Sequence, residues 1–416
     1  MRNFNFYLPT RISFGWGRVN EIGKIVARNG KRCLLVTVKP FPAIESVFEK
    51  VKRLCKEEGV EIFHFDGVIP NPTTECINEG SKMAVENEID IVLGIGGGSS
   101  MDTAKAIFRK SLLPGLLGLI LVLLAALPLY TSSYTPILMT SLIMYSILTV
   151  SWTLFSGPTG YMSLASATFF GVGIYTAAVL GDMFPLPVFV VAGGLASFIV
   201  ALLVGALTLR LRGIYFAIFT FGLVILITHL LLFWELHVIG IRGRFVTIID
   251  YNTIYYAMLG IFVVLMLTAY FIRRSKFGLA LQSIGENEEA ATHIGIDVTM
   301  VKVITFAVSA FFIGAAGATI ATRWTYIDPY IAFDVRVSFL PVLMAIFGGM
   351  GQLYGPVVGA VIFAYLQEVL ITKFPELYML IFGIVLVGAI LYLPEGLVGL
   401  VQKLWRRISG GNLAHT

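Results

Sequence analysis

"IGGGSSMDTAKAIFRKSLLPGLLGLILVLLAALPLYT", Ile95 to Thr131, joins two kinds of sequence with no linker between them. Three glycines stand where an apolar strand gives way to a polar helix. That is the arrangement of an anion-binding turn, because small residues let backbone N–H groups approach a phosphate at a helix start. From about Leu112 the same stretch is apolar for long enough to cross a bilayer, which needs about 20 such residues. Everything before it reads as one kind of protein, and everything after it as another.

The charges divide at the same place. Of 30 Lys+Arg and 25 Asp+Glu, 29 residues fall in the first 110 positions and 26 in the remaining 306. The front part has the charge density of an ordinary soluble domain; the rest is too apolar for a water-soluble core. The net charge of +5 is small. Basic residues of the second part sit at the ends of apolar runs, and no basic, aromatic-interleaved patch points to nucleic acid. The three cysteines, Cys33, Cys55 and Cys76, lack CxxC spacing and read as idle thiols of a reducing compartment. The opening "MRNFNFYLPTRISFG" has no apolar core of a signal peptide.

Residues 1–110 alternate strand and helix: strands at 31–38, 61–65 and 90–97, helices at 43–58 and 73–88 and from about Ser99, with Thr73 or Thr74 available as a cap. Such alternation predicts a parallel sheet with crossovers. No GxxxxGK[ST] occurs, so the Gly96–Gly98 turn is not a P-loop; it is either a phosphate cradle or a plain strand-to-helix turn. Three segments occur together and in order: "YLPTRISFGWG" (7–17), "PNPTTE" (70–75) and "GIGGGSSMDTAKAI" (94–107). In this the front part resembles the amino-terminal dinucleotide-binding domain of the iron-containing alcohol dehydrogenases. The resemblance implies a pyrophosphate site at Gly96, Gly97, Gly98, Ser99 and Asp102, hence a vestigial NAD(P) site. It ends near Ile107. The helical domain with the metal ligands does not follow, and the five histidines (His64, His229, His237, His293, His415) are scattered without an HxxxH pair. The expectation is a truncated piece with no metal site and no dehydrogenase activity.

The remaining 306 residues predict ten spans, at 112–130, 136–155, 162–181, 187–209, 213–234, 253–272, 303–322, 337–350, 355–372 and 377–394; the third and eighth are broken by glycine, so eight full spans plus two re-entrant or tilted ones fit equally. With both termini cytoplasmic, the basic clusters (Lys105, Arg109 and Lys110; Arg210 and Arg212; Arg273, Arg274 and Lys276, with Lys302; Lys403, Arg406 and Arg407) all fall on one side. Loops 235–252 and 323–336 then lie on the opposite side. Gly351, Gly355 and Gly359, and Gly314 with Ala318, have helix-packing spacing. The expected fold is thus a mostly α-helical polytopic membrane protein behind a partial α/β domain, divided as 1–110 and 111–416.

Between the sixth and seventh spans lies the long polar loop 273–302, "RRSKFGLALQSIGENEEAATHIGIDVTMVK". "FGLALQSI" is amphipathic, Gly285 is expected to break it, and "ENEEAATHIGI" starts a short helix with acids in its first turn. Glu289, Ala290 and Ala291, then three residues and Gly295, form an EAAxxxG pattern. With "GYMSLASATFFGVGIYTAA" (160–178), "LRGIYFAIFTFG" (211–222) and "FGGMGQLYGPVVGA" (347–360), this part resembles the branched-chain amino acid ABC importer permeases of the LivM type over about 112–407. It departs from their pattern where Ala165 and Ser166 replace a Gly-His pair, and where "ELHVIGIRGRF" lacks a Thr-Gly-Gly run.

The resemblance implies a permease of a prokaryotic plasma (inner) membrane, with no cofactor of its own. Two ATP-binding subunits would use the ATP, a second related permease would complete the pair, and an external solute-binding protein would deliver a branched-chain amino acid. Residues Gly285, Glu286, Asn287, Glu288, Glu289, Ala290, Ala291 and Gly295 would form the helix that couples to the ATPase. A zwitterion with an apolar side chain needs hydroxyls or helix ends beside apolar walls. Gly160, Ser163, Tyr215, Phe219 and Thr220 offer that mixture for a translocation path. Substrate choice between branched-chain amino acids and small amides such as urea stays open. So does a bifunctional reading, in which a bound dinucleotide regulates transport. The abrupt join at 108–112 reads instead as an accidental meeting of two pieces, by gene rearrangement, frameshift or assembly error.

Overall fold

The computed structural model describes residues 17–384, apart from positions 41, 131–133, 212, 352, 378, 379 and 382. The chain divides into two compact units, Met1–Ala126 and Leu127–Thr416.

The first unit is built on a three-stranded parallel sheet in the order β2-β1-β3, with β1 Arg32–Val38, β2 Glu61–Val68 and β3 Ile91–Gly94. The connections are helices α2 (Pro42–Glu57) and α3 (Thr74–Glu86); the short α1 (Ile22–Ala27) precedes the sheet and α4 (Gly98–Tyr130) follows it. β1 is central and covered on both faces, so "CLLVT" is a continuous apolar run rather than an alternating one. Leu34 and Val36 pack with Phe65, Cys76 and Ile107; Cys33 packs with Val26, Val51 and Cys55. Thr73 caps α3 by accepting from the Cys76 amide at 3.4 Å. The Asp90 carboxylate ties β3 to β1, accepting from the amides of Lys31 at 2.8 Å and Arg32 at 2.9 Å.

The second unit is a helical bundle. Its long helices are α5 (Tyr134–Thr159), α7 (Leu186–Thr208), α8 (Ile214–Trp234), α9 (Tyr251–Arg274), α12 (Val298–Ala321) and α15 (Gly355–Lys373). Shorter ones are α6 (Ser166–Leu180), α10 (Lys276–Glu286), α11 (Glu288–His293), α13 (Pro329–Ala332) and α14 (Arg336–Gly348). α12 is the hub, packed against α5, α6, α7 and α9. Small residues allow this closeness: a side chain at Gly173 would collide with the Gly314 carbonyl, and one at Gly317 with that of Phe170. Gly355 and Gly359 likewise press on the backbone of α14, whereas Gly351 faces open space.

Seven helices among the described residues are long and apolar enough to span a membrane, one of them Pro329–Gly348, which joins α13 and α14; a count of ten is not confirmed. The expected third span does not form whole, because the backbone leaves the helix at Gly160 (φ 72°) and resumes only at Ser166, leaving a 15-residue helix. The first, 112–130, is not a separate helix but the carboxyl-terminal part of α4, which runs unbroken for 33 residues from the glycine turn. The tenth, 377–394, lies largely outside the described residues.

Two sets of loops mark the ends of the bundle. β4 (Arg244–Phe245) and β5 (Tyr326–Ile327) pair antiparallel, so loops 235–252 and 323–336 share one end. Arg242 and Asp328 form an ion pair there at 2.7 Å. The buried Glu235 accepts from the Tyr175 hydroxyl at 3.1 Å and the Gly243 amide at 2.9 Å. The opposite end gathers the turn after α5, the carboxyl terminus of α7, and α10 with α11.

Candidate functional site

The loop after α9 folds into two short helices, and three side chains cap their starts and that of α12. Ser275 accepts from the Gly278 amide at 3.3 Å. Asn287 accepts from the Glu289 and Ala290 amides at 2.9 and 3.0 Å. Asp297 accepts from the Met300 amide at 3.0 Å and starts α12. The break between α10 and α11 therefore falls at Asn287, and the helix passes through Gly285. Gly285 serves close packing instead of a break. A Cβ there would collide with the Pro158 carbonyl, so the glycine lets α10 lie against the end of α5.

α11 turns two residues inward and the rest outward. Ala291 is buried; Glu286, Asn287, Glu289, Ala290, His293, Ile294 and Gly295 are exposed. Gly295 (φ 88°) ends the turn in the left-handed region, where a side chain would be strained. The result is a knob of one short helix with an acidic start and an apolar tip, Ile294, 72% exposed. Such an amphipathic projection fits a groove on a partner.

Glu288 faces the other way. Its Oε1 accepts from the Nζ of Lys302 at 2.9 Å and from the hydroxyl of Tyr161 at 2.6 Å. Lys302 Nζ also donates to the Tyr161 hydroxyl at 3.0 Å and to the Leu209 carbonyl at 3.2 Å. Lys302 is 3% exposed, yet its ammonium has three acceptors for its three protons. From the sequence, Lys302 reads only as a topological charge and Tyr161 goes unremarked. The available signal was an ionisable residue set inside an apolar helix, "VKVITFAV", which demands a partner.

The irregular segment 160–165 and the start of α6 form the second place of interest. In a bilayer interior every backbone amide needs a partner. Here hydroxyls and an indole supply several. Thr220 accepts from the Leu164 amide at 3.0 Å, Ser163 from that of Ala165 at 3.3 Å, and Ser338 from that of Ala167 at 3.3 Å. Trp152 donates to the Ser163 carbonyl at 2.7 Å. A cavity of about 10 Å³ beside them is lined by Ser156, Ser163, Ser166 and Ser309 with aromatic rings, and the buried Ser156 hydroxyl has no partner. Ser163 and Thr220 are thus brought together. Gly160 lies apart, lining a cavity of about 330 Å³ with Arg273 and Gln282 at the α10 end. Tyr215 and Phe219 lie on α8 with their side chains 71% and 45% exposed. His229 is exposed and its Nδ1 lies 2.9 Å from the Ile225 carbonyl oxygen. Glu368 accepts from the Tyr134 hydroxyl at 3.1 Å.

In the first unit, Gly96 to Ser99 lie between the carboxyl end of β3 and the first turn of α4, where an open parallel sheet binds ligands. A Cβ at Gly97 or Gly98 would meet nothing, and the buried Ser100 hydroxyl has no partner. Asp102 is exposed on the next turn. All three cysteines are buried free thiols. Burial first, then the neighbouring Cys55 and Asp90, pushes the Cys33 thiol up to about 12, which removes it from thiolate chemistry.

A bundle with seven helices long and apolar enough to cross a membrane among the described residues defines a multi-pass membrane protein. The family model for the branched-chain amino acid transport system permease component matches residues 134–390, and the chain belongs to that family. One relative is the high-affinity branched-chain amino acid transport system permease protein LivM of Salmonella typhimurium. It is 26% identical over 325 residues, covering 70% of this chain and 76% of the relative. A second family model, iron-containing alcohol dehydrogenase, matches residues 9–114. There the chain is 32% identical over 107 residues to NADH-dependent butanol dehydrogenase A of Clostridium acetobutylicum, spanning only 28% of that relative's length. The crystal structure of NADH-dependent butanol dehydrogenase A from Thermotoga maritima is 35% identical, covering 27% of this chain and 28% of that one, with a TM-score of 0.25.

Proposed function

We propose that the chain is the permease subunit of an ATP-driven importer of branched-chain amino acids in a prokaryotic plasma membrane, with both termini in the cytoplasm. The observation that carries this is the exposed α11 knob in a chain of the permease family. It gives an external ATPase something to grip, at the end of the bundle where Arg210, Arg273, Arg274 and Lys276 lie. Two ATP-binding subunits, a second related permease and an external solute-binding protein complete the machine. ATP-driven closure of the ATPase pair moves α11, and the bundle alternates between outward and inward access, because the two states bind the partners differently. The amino acid passes the start of α6, where Ser163, Thr220 and the neighbouring serines meet its charged end and aromatic rings its side chain.

The front unit takes no part in this cycle. It carries a turn able to seat a pyrophosphate, but the residues that would complete a dehydrogenase do not follow it.

Capture of the ATPase tests the proposal. The detergent-solubilised chain, co-expressed with its partners, is expected to co-purify with the ATP-binding subunit, and Glu289→Lys with Gly295→Val to abolish capture without loss of membrane insertion. Equal capture by the double variant would remove the coupling role from α11.

A further inference from the structure

Four elements meet at one buried point: α11 through Glu288, α12 through Lys302, the end of α7 through the Leu209 carbonyl, and the irregular segment through Tyr161. The contacts close a triangle, since each of Lys302 Nζ, Glu288 Oε1 and the Tyr161 hydroxyl bonds both others. The ammonium also sits 4.4 Å from the centre of the Tyr161 ring. That ring is itself fixed, edge-on to Phe216 at 5.5 Å.

We infer that the Lys302–Glu288–Tyr161 triangle is the joint through which movement of the ATPase-docked helix reaches the translocation path. This rests on the proposed function of α11. The argument is one of stiffness. Without the triangle, a six-residue helix with Ala291 as its one buried side chain could rock with little effect behind it. With the triangle in place, moving α11 alone would strand a buried ammonium and leave a partly buried carboxylate unpaired, and losing the ammonium's partners is costlier than moving the joined elements together. Tyr161 is two residues before Ser163 and three before Leu164, whose backbone groups hold Trp152 and Thr220. A pull on Tyr161 therefore acts on the bonds that position the start of α6. Lys302, Glu288 and Tyr161 are positioning residues; none need touch the amino acid.

The alternative is a staple that only stabilises the fold. Two variants separate the readings. Lys302→Met with Glu288→Gln removes both charges together, so no unpaired charge is left buried. Tyr161→Phe keeps the ring packing and removes the hydroxyl. Each is assayed in the complete importer in liposomes, with ATPase, sister permease and solute-binding protein, for ATPase capture, leucine uptake and ATP hydrolysis. Both are expected to capture the ATPase and to hydrolyse ATP, while the uptake per ATP falls about tenfold or more, the size of an ordinary allosteric coupling. Wild-type uptake per ATP in both variants would leave a staple and overturn the inference. Parallel loss of capture, hydrolysis and uptake, or failure of Tyr161→Phe to insert, would assign the cluster to docking or folding and overturn it equally. A wild-type complex that captures no ATPase would instead fail the reading on which the inference rests.

Discussion

His64 and Gly285 show how single positions are fixed by what surrounds them. His64 lies on β2 with its Nε2 2.8 Å from the Thr37 hydroxyl. Burial, then the charge of Lys52, holds its pKa below the ordinary value of 6.5. The folded state therefore resists the proton that the unfolded chain accepts. Stability is fully present above that ordinary value and falls as pH drops through the window down to the lowered pKa. Amide exchange in β1 and β2, corrected for intrinsic rates, is expected to quicken between about pH 7 and 5, with His64→Gln flattening the trend. Gly285 matters for space. Gly285→Val would push α10 off the Pro158 carbonyl, at about 1–3 kcal/mol by the cost of overpacking. A lowered melting midpoint with weaker ATPase capture is the expected result; an unchanged midpoint would mean that α10 does not press on α5.

At the scale of elements, the half-helix is the feature to perturb. Thr220→Val keeps the shape of the side chain but leaves the Leu164 amide without its acceptor. An unsatisfied buried amide costs about 1–3 kcal/mol, to be read as a lower melting midpoint of the purified protein. Much of the element order was legible in the sequence, because it rests on periodicity and caps. The three strands, the Thr73 cap and the short helix after Asn287 follow from local chemistry. That the third span is broken was legible in its glycines; the extent of the gap at 160–165 was not, because the Leu164 amide is held by Thr220 of α8 and the Ala167 amide in the first turn of α6 by Ser338 of α14, both far off in sequence. The role of Lys302 was hidden for the same reason. Its partners are 14 and 141 residues away, so only the folded chain brings them together. Tyr215 and Phe219 are legible by residue type alone, and their side chains are exposed on α8.

For the whole molecule, the two units have different prospects. The first has a three-stranded sheet whose edge strands β2 and β3 have no further neighbours among the described residues, and it matches only 28% of the length of a dehydrogenase relative. No NAD-dependent oxidation of butanol is expected from the purified chain, measured as NADH absorbance; turnover above background would show that the fragment retains an active site. The second unit belongs to a family of transport permeases and carries the central claim. That claim is tested most directly by uptake of labelled leucine into liposomes holding the chain with its ATPase and sister permease, the solute-binding protein outside and ATP inside. The account predicts accumulation that requires ATP, is competed by isoleucine and valine, and disappears with Glu289→Lys and Gly295→Val. Uptake that ignores ATP, or survives those replacements, would contradict it.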